Sequence, residues 1–189
     1  MYLNVIRFIE IIEIFQKTFL RVQMDNKLYL TFDIICDDVK NIKNQIISSN
    51  QKYDAILTIS GGGLIPARLL RTFLNIPIYS IGLSFYEGEQ RQKNPVLFQW
   101  LRDEEINFLR NKRVLIVDEL SDTMGTLNLV VNKLVDCGFT TNNLGIAVLY
   151  DKKKKKIMSH VMSQFELHDN YFVSEFIEDK WVVFPWDNY

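Results

Sequence analysis

Nine residues near the middle of the chain, Asp118 to Thr126, carry three carboxylates (Asp118, Glu119, Asp122), three hydroxyls (Ser121, Thr123, Thr126) and one glycine, Gly125. Hydroxyls and free backbone amides donate to an anion such as a phosphate, and glycine lets the backbone come close to it. Adjacent acids repel an anion, so Asp118 and Glu119 need other partners. Vicinal ribose hydroxyls or a divalent metal fit. The combination reads as a site for a sugar phosphate. An ordinary strand-to-helix turn whose acids cap the helix is the alternative.

The flanking residues set where this turn lies. Val114 to Val117 is an apolar run expected of a strand buried on both faces. Leu127, Val130, Val131 and Leu134 recur at helical spacing, and Gly138 supplies a stop. The turn therefore sits at the carboxyl end of a strand and at the amino end of a helix, where unpaired N–H groups and the macrodipole favour negative charge. A second unit of this kind precedes it. Asp54 to Ile59 predicts a short buried strand, Ser60-Gly61-Gly62-Gly63 a loop, and Leu64 to Phe73 a helix with Pro66 in its first turn. It lacks the third glycine of a dinucleotide fingerprint and the Lys-Ser/Thr of a P-loop, so neither motif applies.

Elsewhere, Ile35, Val39, Ile42 and Ile46 mark one face of a helix, while Pro77–Phe85 and Leu144–Tyr150 read as strands. The polar stretch Glu87–Pro95 has no periodicity and is expected to be a flexible loop. Lys152 closes the last of these strands. The next four lysines, 153 to 156, read as a solvated turn.

The strand, acid pair and following Asp122-Thr123-Met124-Gly125-Thr126 resemble the ribose-5-phosphate motif of type I phosphoribosyltransferases. Met124 stands where that family usually has glycine, and Gly125 follows one place later. The run from Gly61 to Leu74 resembles fungal hypoxanthine-guanine and archaeal 6-oxopurine members, and Asp179-Lys-Trp-Val-Val-Phe-Pro-Trp-Asp187 resembles their purine-binding end. The likeness spans residues 27 to 187 and implies an α/β fold, a mostly parallel twisted sheet flanked by helices with a small C-terminal hood. It implies transfer of ribose 5-phosphate from phosphoribosyl pyrophosphate to hypoxanthine, guanine or xanthine, with Mg²⁺ as cofactor.

The site residues follow from the same likeness. Asp122 would be the general acid/base. Asp118, Glu119, Ser121, Thr123, Met124, Gly125 and Thr126 would hold the ribose and its phosphate, and Ser60, Gly61, Gly62 and Gly63 the pyrophosphate. Lys152, Trp181, Val182 and Asp187 would bind the purine: a donor to the 6-oxo oxygen, a stacking face, a main-chain contact and the position-2 edge. Asp118, Glu119 and Asp187 are the metal candidates. The Glu87–Pro95 stretch matches a mobile loop that closes over the site, with Arg91 and Lys93 poised for pyrophosphate. Arg68 and Arg71 are further candidates to neutralise it. A regulator of the same fold that senses phosphoribosyl pyrophosphate without catalysis is the alternative.

Whole-chain properties bound these readings. The 189 residues are 48% hydrophobic with net charge −1, enough for a full-sized core and unsuited to an extended nucleic-acid surface. Cys36 and Cys137 fall in predicted helices without metal spacing and read as buried thiols of a reducing, cytoplasmic compartment. His160 and His168 are isolated. Residues 1–23 predict an amphipathic extension, with the transferase domain at 24–189. Its charges exclude a spanning segment, and packing on the domain or on a partner subunit is expected over membrane attachment. The likeness implies a homodimer or homotetramer.

Overall fold

The computed structural model describes residues 23–24, 26–87, 90–167 and 170–187. The helix expected over 1–23 therefore falls almost wholly outside the described residues, as does His168. The chain forms strands β1 (Gln23–Met24), β2 (Lys27–Tyr29) and β3 (Ala55–Ile59), with helix α1 (Phe32–Ser48) between the last two. Helix α2 (Leu64–Leu74), strands β4 (Ile78–Glu87) and β5 (Gln90–Gln99), and helix α3 (Asp103–Leu109) follow. The second half holds β6 (Val114–Ser121), α4 (Gly125–Asp136), β7 (Leu144–Lys152), α5 (His160–Leu167), β8 (Tyr171–Ile177) and β9 (Trp181–Val183).

A six-stranded sheet in the order β5-β4-β3-β6-β7-β8 is parallel except for β5, which runs antiparallel to β4. The alternating pleat divides the apolar residues between two cores. Leu115, Val117, Ala147 and Leu149 face α1 and α2, whose Ile35, Val39, Ile42 and Leu70 are almost fully buried. Val114, Ile116, Ile146 and Val148 face the opposite side with Leu127, Val130, Val131 and Leu134 of α4. This is the expected α/β architecture. Thr31 caps α1, its hydroxyl accepting from the Ile34 N–H at 3.4 Å, and Gly138, at φ 89°, ends α4 as expected.

Three expectations are corrected. The stretch Glu87–Pro95 is not a flexible loop: Glu87 ends β4, and Gln90 to Pro95 belong to β5, which pairs with β4 as a hairpin with register shifts on both sides of Ser84. Polar composition hid this because an edge strand outside the core has no apolar period to display. The hood is not C-terminal alone, for β9 pairs in parallel with β2, which pairs with β1. Both ends of the described domain thus build it. The cysteines are half-buried, and Cys137 lies one residue past α4.

The free edge at β8 is covered by side chains. The Gln45 amide donates to the Val173 carbonyl at 2.7 Å and its oxygen accepts the Val173 N–H at 3.3 Å. Asn41 donates to the Ser174 carbonyl at 3.0 Å. Such pairing from α1 denies the edge to another chain.

Two strand glycines make a controlled comparison. A Cβ at Gly145 would lie 2.1 Å from the Tyr53 oxygen, and that ring is buried against Phe172 and the Arg113 guanidinium. A Cβ at Gly82 would lie equally close to the Phe98 ring, but Phe98 is 64% exposed and free to swing away. Gly145→Ala should therefore destabilise the fold by about 1–3 kcal/mol in urea unfolding, with Gly82→Ala close to neutral.

Candidate active site

The sheet order creates the site. From β3 the chain returns on one side to β4, while β6 lies on the other, so the connections diverge between β3 and β6. A crevice opens outside the carboxyl ends of strands at such a switch point. The two loops singled out in the sequence, Ser60–Gly63 and Asp118–Thr126, both lie there. An open cleft of about 1220 Å³ runs along the second, lined by Asp118, Leu120, Asp122, Thr123 and Thr126 with Pro95 and Leu97 of the hairpin opposite.

Within the first loop, the glycines answer to different constraints. Gly61 has φ 104°, which side chains rarely adopt. A Cβ at Gly63 would meet the carbonyl oxygens of Ile59 and Val117 at 2.5 and 2.9 Å, and one at Gly62 would meet the Glu119 carboxylate at 2.2–2.6 Å. The triple glycine therefore lets the loop and the acid pair occupy the same small volume. Arg68 hydrogen-bonds Thr72 on the exposed side of α2 at 2.9 Å, an ordinary helix-surface contact.

Strand β6 extends further than its apolar run, through Asp118 and Glu119 to Ser121. Asp118 is buried, accepting the Glu119 N–H at 3.0 Å. Burial, and then the neighbouring Glu119 carboxylate, push the Asp118 carboxyl well above the usual aspartate range. Glu119 keeps a buried oxygen, Oε2, with no hydrogen-bond partner. Two close carboxylates with an orphaned oxygen are a donor set for a hard divalent cation or for sugar hydroxyls. Among the described residues no three acids, histidines or cysteines converge as a ligand group. Asp187 is not brought together with the pair; it is exposed and accepts the Phe184 N–H at 3.1 Å.

Met124 occupies the left-handed region, φ 63° and ψ 5°, immediately before α4. This is a glycine conformation, which accounts for glycine in the motif it resembles. The side chain is 6% exposed and packs into the core beneath the loop.

The lysine run is the largest departure from expectation. Only Lys153 and Lys155 fit a solvated turn. Lys152 and Lys154 both reach Asp122 Oδ1, at 3.2 and 2.8 Å, and Asp179 Oδ1, at 3.4 and 2.9 Å. Partial burial raises the Asp122 carboxyl, but hydrogen bonds from Lys154 and Lys152 outweigh it and hold the group below the ordinary aspartate value. Lys156 pairs with buried Asp151 and donates to the carbonyls of Ser121 and Asp122, both at 2.9 Å. Tyr171 donates to the other Asp151 oxygen. Spacing does not reveal this, because the chain bends at residues 153–154, just past the end of β7.

The C-terminal segment belongs to the hood, where β9 pairs with β2. Trp181 is 69% exposed and its N–H donates to the Asn26 carbonyl at 3.1 Å, while Val182 is buried beside it in β9. Trp186 is a plug, stacked on Phe184 at 4.8 Å. Trp181, unlike Trp186, presents its ring to solvent. Side chains at Arg91 and Lys93, and His168, lie outside what is described, and His160 is exposed at the start of α5.

A family model for a phosphoribosyl transferase domain matches residues 28–187. Xanthine phosphoribosyltransferase 1 of Saccharomyces cerevisiae is 32% identical over 86% of this chain and 90% of its own length. The hypoxanthine-guanine phosphoribosyltransferase of the same yeast is 36% identical over 74% of this chain and 76% of its own. A solved structure from Neisseria gonorrhoeae with bound ppGpp is 36% identical, with a TM-score of 0.73 over 88% of this chain and 92% of that one.

Two substitutions in this site should move stability in opposite directions. Lys156→Met strands the buried Asp151 carboxylate and frees two loop carbonyls, and should lower the unfolding free energy by about 3 kcal/mol. Asp118→Asn removes repulsion from a buried acid pair and should raise the thermal midpoint at neutral pH. Denaturant and calorimetric unfolding of the two variants checks both signs.

Proposed function

The chain belongs to the phosphoribosyl transferase family, and from that premise we propose that it serves purine salvage, transferring ribose 5-phosphate from phosphoribosyl pyrophosphate to hypoxanthine, guanine or xanthine. The observation that carries the reading is the Asp122–Lys152 pair, a carboxylate and an ammonium 3.2 Å apart at the mouth of the switch-point crevice. An ammonium has three N–H donors and no acceptor, so Lys152 suits a 6-oxo oxygen and opposes a 6-amino group. That chemistry favours 6-oxopurines over adenine.

In the proposed reaction, a ring nitrogen of the base attacks the anomeric carbon, the bond to the pyrophosphate oxygen breaks, and the base loses a proton. Asp122, ionised at neutral pH, receives that proton as the C–N bond forms. Trp181 stacks on the base, a contact worth about 1–3 kcal/mol by comparison with base–aromatic stacking in nucleic-acid complexes. The main chain at Val182 lies beside the base edge. The amides and hydroxyls of Ser121 to Thr126 cradle the 5-phosphate at the start of α4, and the Ser60–Gly63 amides receive the pyrophosphate. Asp118 and Glu119 hold the ribose hydroxyls and stabilise positive charge developing on the sugar.

Mg²⁺ fits the Asp118–Glu119 pair because Glu119 Oε2 is buried without a partner. Bound there, it would offset the charge of the departing pyrophosphate. Asp187 would contribute through water rather than in one ligand group with the pair. Closure of the β4–β5 hairpin over the cleft would exclude water from the activated sugar. We further propose a cytoplasmic homo-oligomer.

The test is nucleotide formation from phosphoribosyl pyrophosphate with hypoxanthine, guanine, xanthine and adenine, with and without Mg²⁺. Turnover of 6-oxopurines but not adenine, abolished by chelator, is expected. Asp122→Ala should lower kcat by about 10²- to 10⁴-fold. Saturable binding of phosphoribosyl pyrophosphate without turnover of any base would instead identify the regulator.

A further inference from the structure

Lys152, Lys154, Asp122 and Asp179 form a closed square of alternating charge. Each ammonium lies 2.8–3.4 Å from one oxygen of each aspartate. All four contacts run to Oδ1 of the two acids, so both ammoniums meet the same oxygen of Asp122. Lys152, 8% exposed, is the buried corner, 3.2 Å from Asp122 and 3.4 Å from Asp179. A hydrogen bond of 2.8 Å from the Lys154 N–H to the Lys152 carbonyl folds the chain back and sets the two ammoniums side by side.

The corners come from three separate elements. Asp122 is on the loop before α4, Lys152 ends β7 with Lys154 in the bend just after it, and Asp179 is in the turn from β8 to β9, two residues before Trp181. The Lys153 main-chain N–H donates to the Ile177 carbonyl at 2.7 Å and ties the same turn to β7, while the Lys153 side chain pairs with Glu178 out in solvent. The hood is thereby fixed onto the loop through Asp179.

We propose that Lys154 and Asp179 are positioning residues: through the square they hold the Asp122 carboxylate and the Lys152 ammonium in place for the base and register the hood's Trp181 beside them. The inference rests on the purine-transfer reading for what Asp122 and Lys152 do. Neither Lys154 nor Asp179 is assigned a contact with substrate. Opening the square has opposite consequences at its two free corners. Without Lys154, Asp122 and Asp179 share one cation. Without the Asp179 charge, both cations turn to Asp122.

The groups facing the Asp122 carboxylate among the described residues are Lys152 and Lys154 from β7, with Asp179 across them; Lys156 touches only its main-chain carbonyl. The experiment compares Lys154→Met, Lys154→Arg, Asp179→Asn and a Lys153→Met control by steady-state kinetics with guanine. A ¹³C-NMR titration of the Asp122 carboxyl, assigned with Asp122→Asn, runs on the same proteins. Lys154→Met and Asp179→Asn should each lower kcat by about tenfold or more, within the roughly 10²-fold that a misplaced group costs, with little change in KM for phosphoribosyl pyrophosphate. Lys154→Arg should restore most of the loss, and Lys153→Met should match the parent. The Asp122 titration should move up in Lys154→Met and down in Asp179→Asn, a split that general loosening of the fold does not produce. Unchanged kcat in both variants of an active enzyme overturns the inference. So does an unmoved titration, which judges the square even if the parent turns over no base; that last result alone sinks the purine-transfer reading.

Discussion

Two adjacent carboxylates at the end of a central strand, Asp118 buried and Glu119 half-buried, are the constraint around which this molecule is built. Asp118 is buried and its neighbour Glu119 leaves an oxygen unpaired. Burying one unpaired acid is unfavourable and burying two adjacent ones is more so. The fold surrounds them with elements that tolerate the arrangement: a parallel sheet at its switch point, and a glycine loop whose missing side chains leave room for the Glu119 carboxylate. Replacing the acids with amides would ease the local electrostatics and remove the chemistry. Their retention in a well-packed core is the pattern of a site where stability is given up for function.

The charge around Asp122 is handled by the opposite strategy. There each carboxylate meets two ammoniums and each ammonium two carboxylates, so the group is neutral as a whole and sits where solvent still reaches it. Solvent screening limits what such exposed pairs add to stability. Their value is geometric, because four tethered groups from three elements leave few positions for any one of them. Lys156, beneath, is different again: it is mostly buried with Asp151 and holds the carbonyls of residues 121 and 122, fixing the main chain on which Asp122 is carried. The loop is therefore held from below by a buried pair and from the side by the square.

Most of the fold was legible because each buried strand is an apolar run and each helix has one apolar face; Val114–Val117 and the Ile35–Ile46 stripe are found where the pattern put them. Sheet order was not legible, since it depends on which strands meet and not on any one segment. The β5 strand was missed because its residues are polar and pair only at an edge. The hood was half seen, since β9 is conspicuous in sequence while its partner β2 is a three-residue strand some 150 residues away. In the site, residues that would touch a ligand stood out by type and spacing, whereas those that hold them did not. Lys154, Lys156, Asp151 and Asp179 look like ordinary surface charge until the chain is folded.

Met124 shows how a departure from a motif can be resolved by geometry. Read in sequence, a bulky residue in a glycine position suggests a damaged phosphate loop and gives the regulator its best support. In the structure the backbone keeps the glycine conformation, φ 63°. Holding a side chain there is unfavourable by roughly 1–2 kcal/mol. Burying a methionine recovers about 1.5–3 kcal/mol, and Met124 is 6% exposed against the Leu127 side of the core. The two effects offset one another, so the loop retains its path without the residue that usually permits it. The side chain packs in the core cluster and also forms part of the cleft wall between Thr123 and Gly125. Methionine at this position therefore changes how the loop is supported while the backbone keeps the path that a glycine would give it, which weakens the main physical argument against a working enzyme.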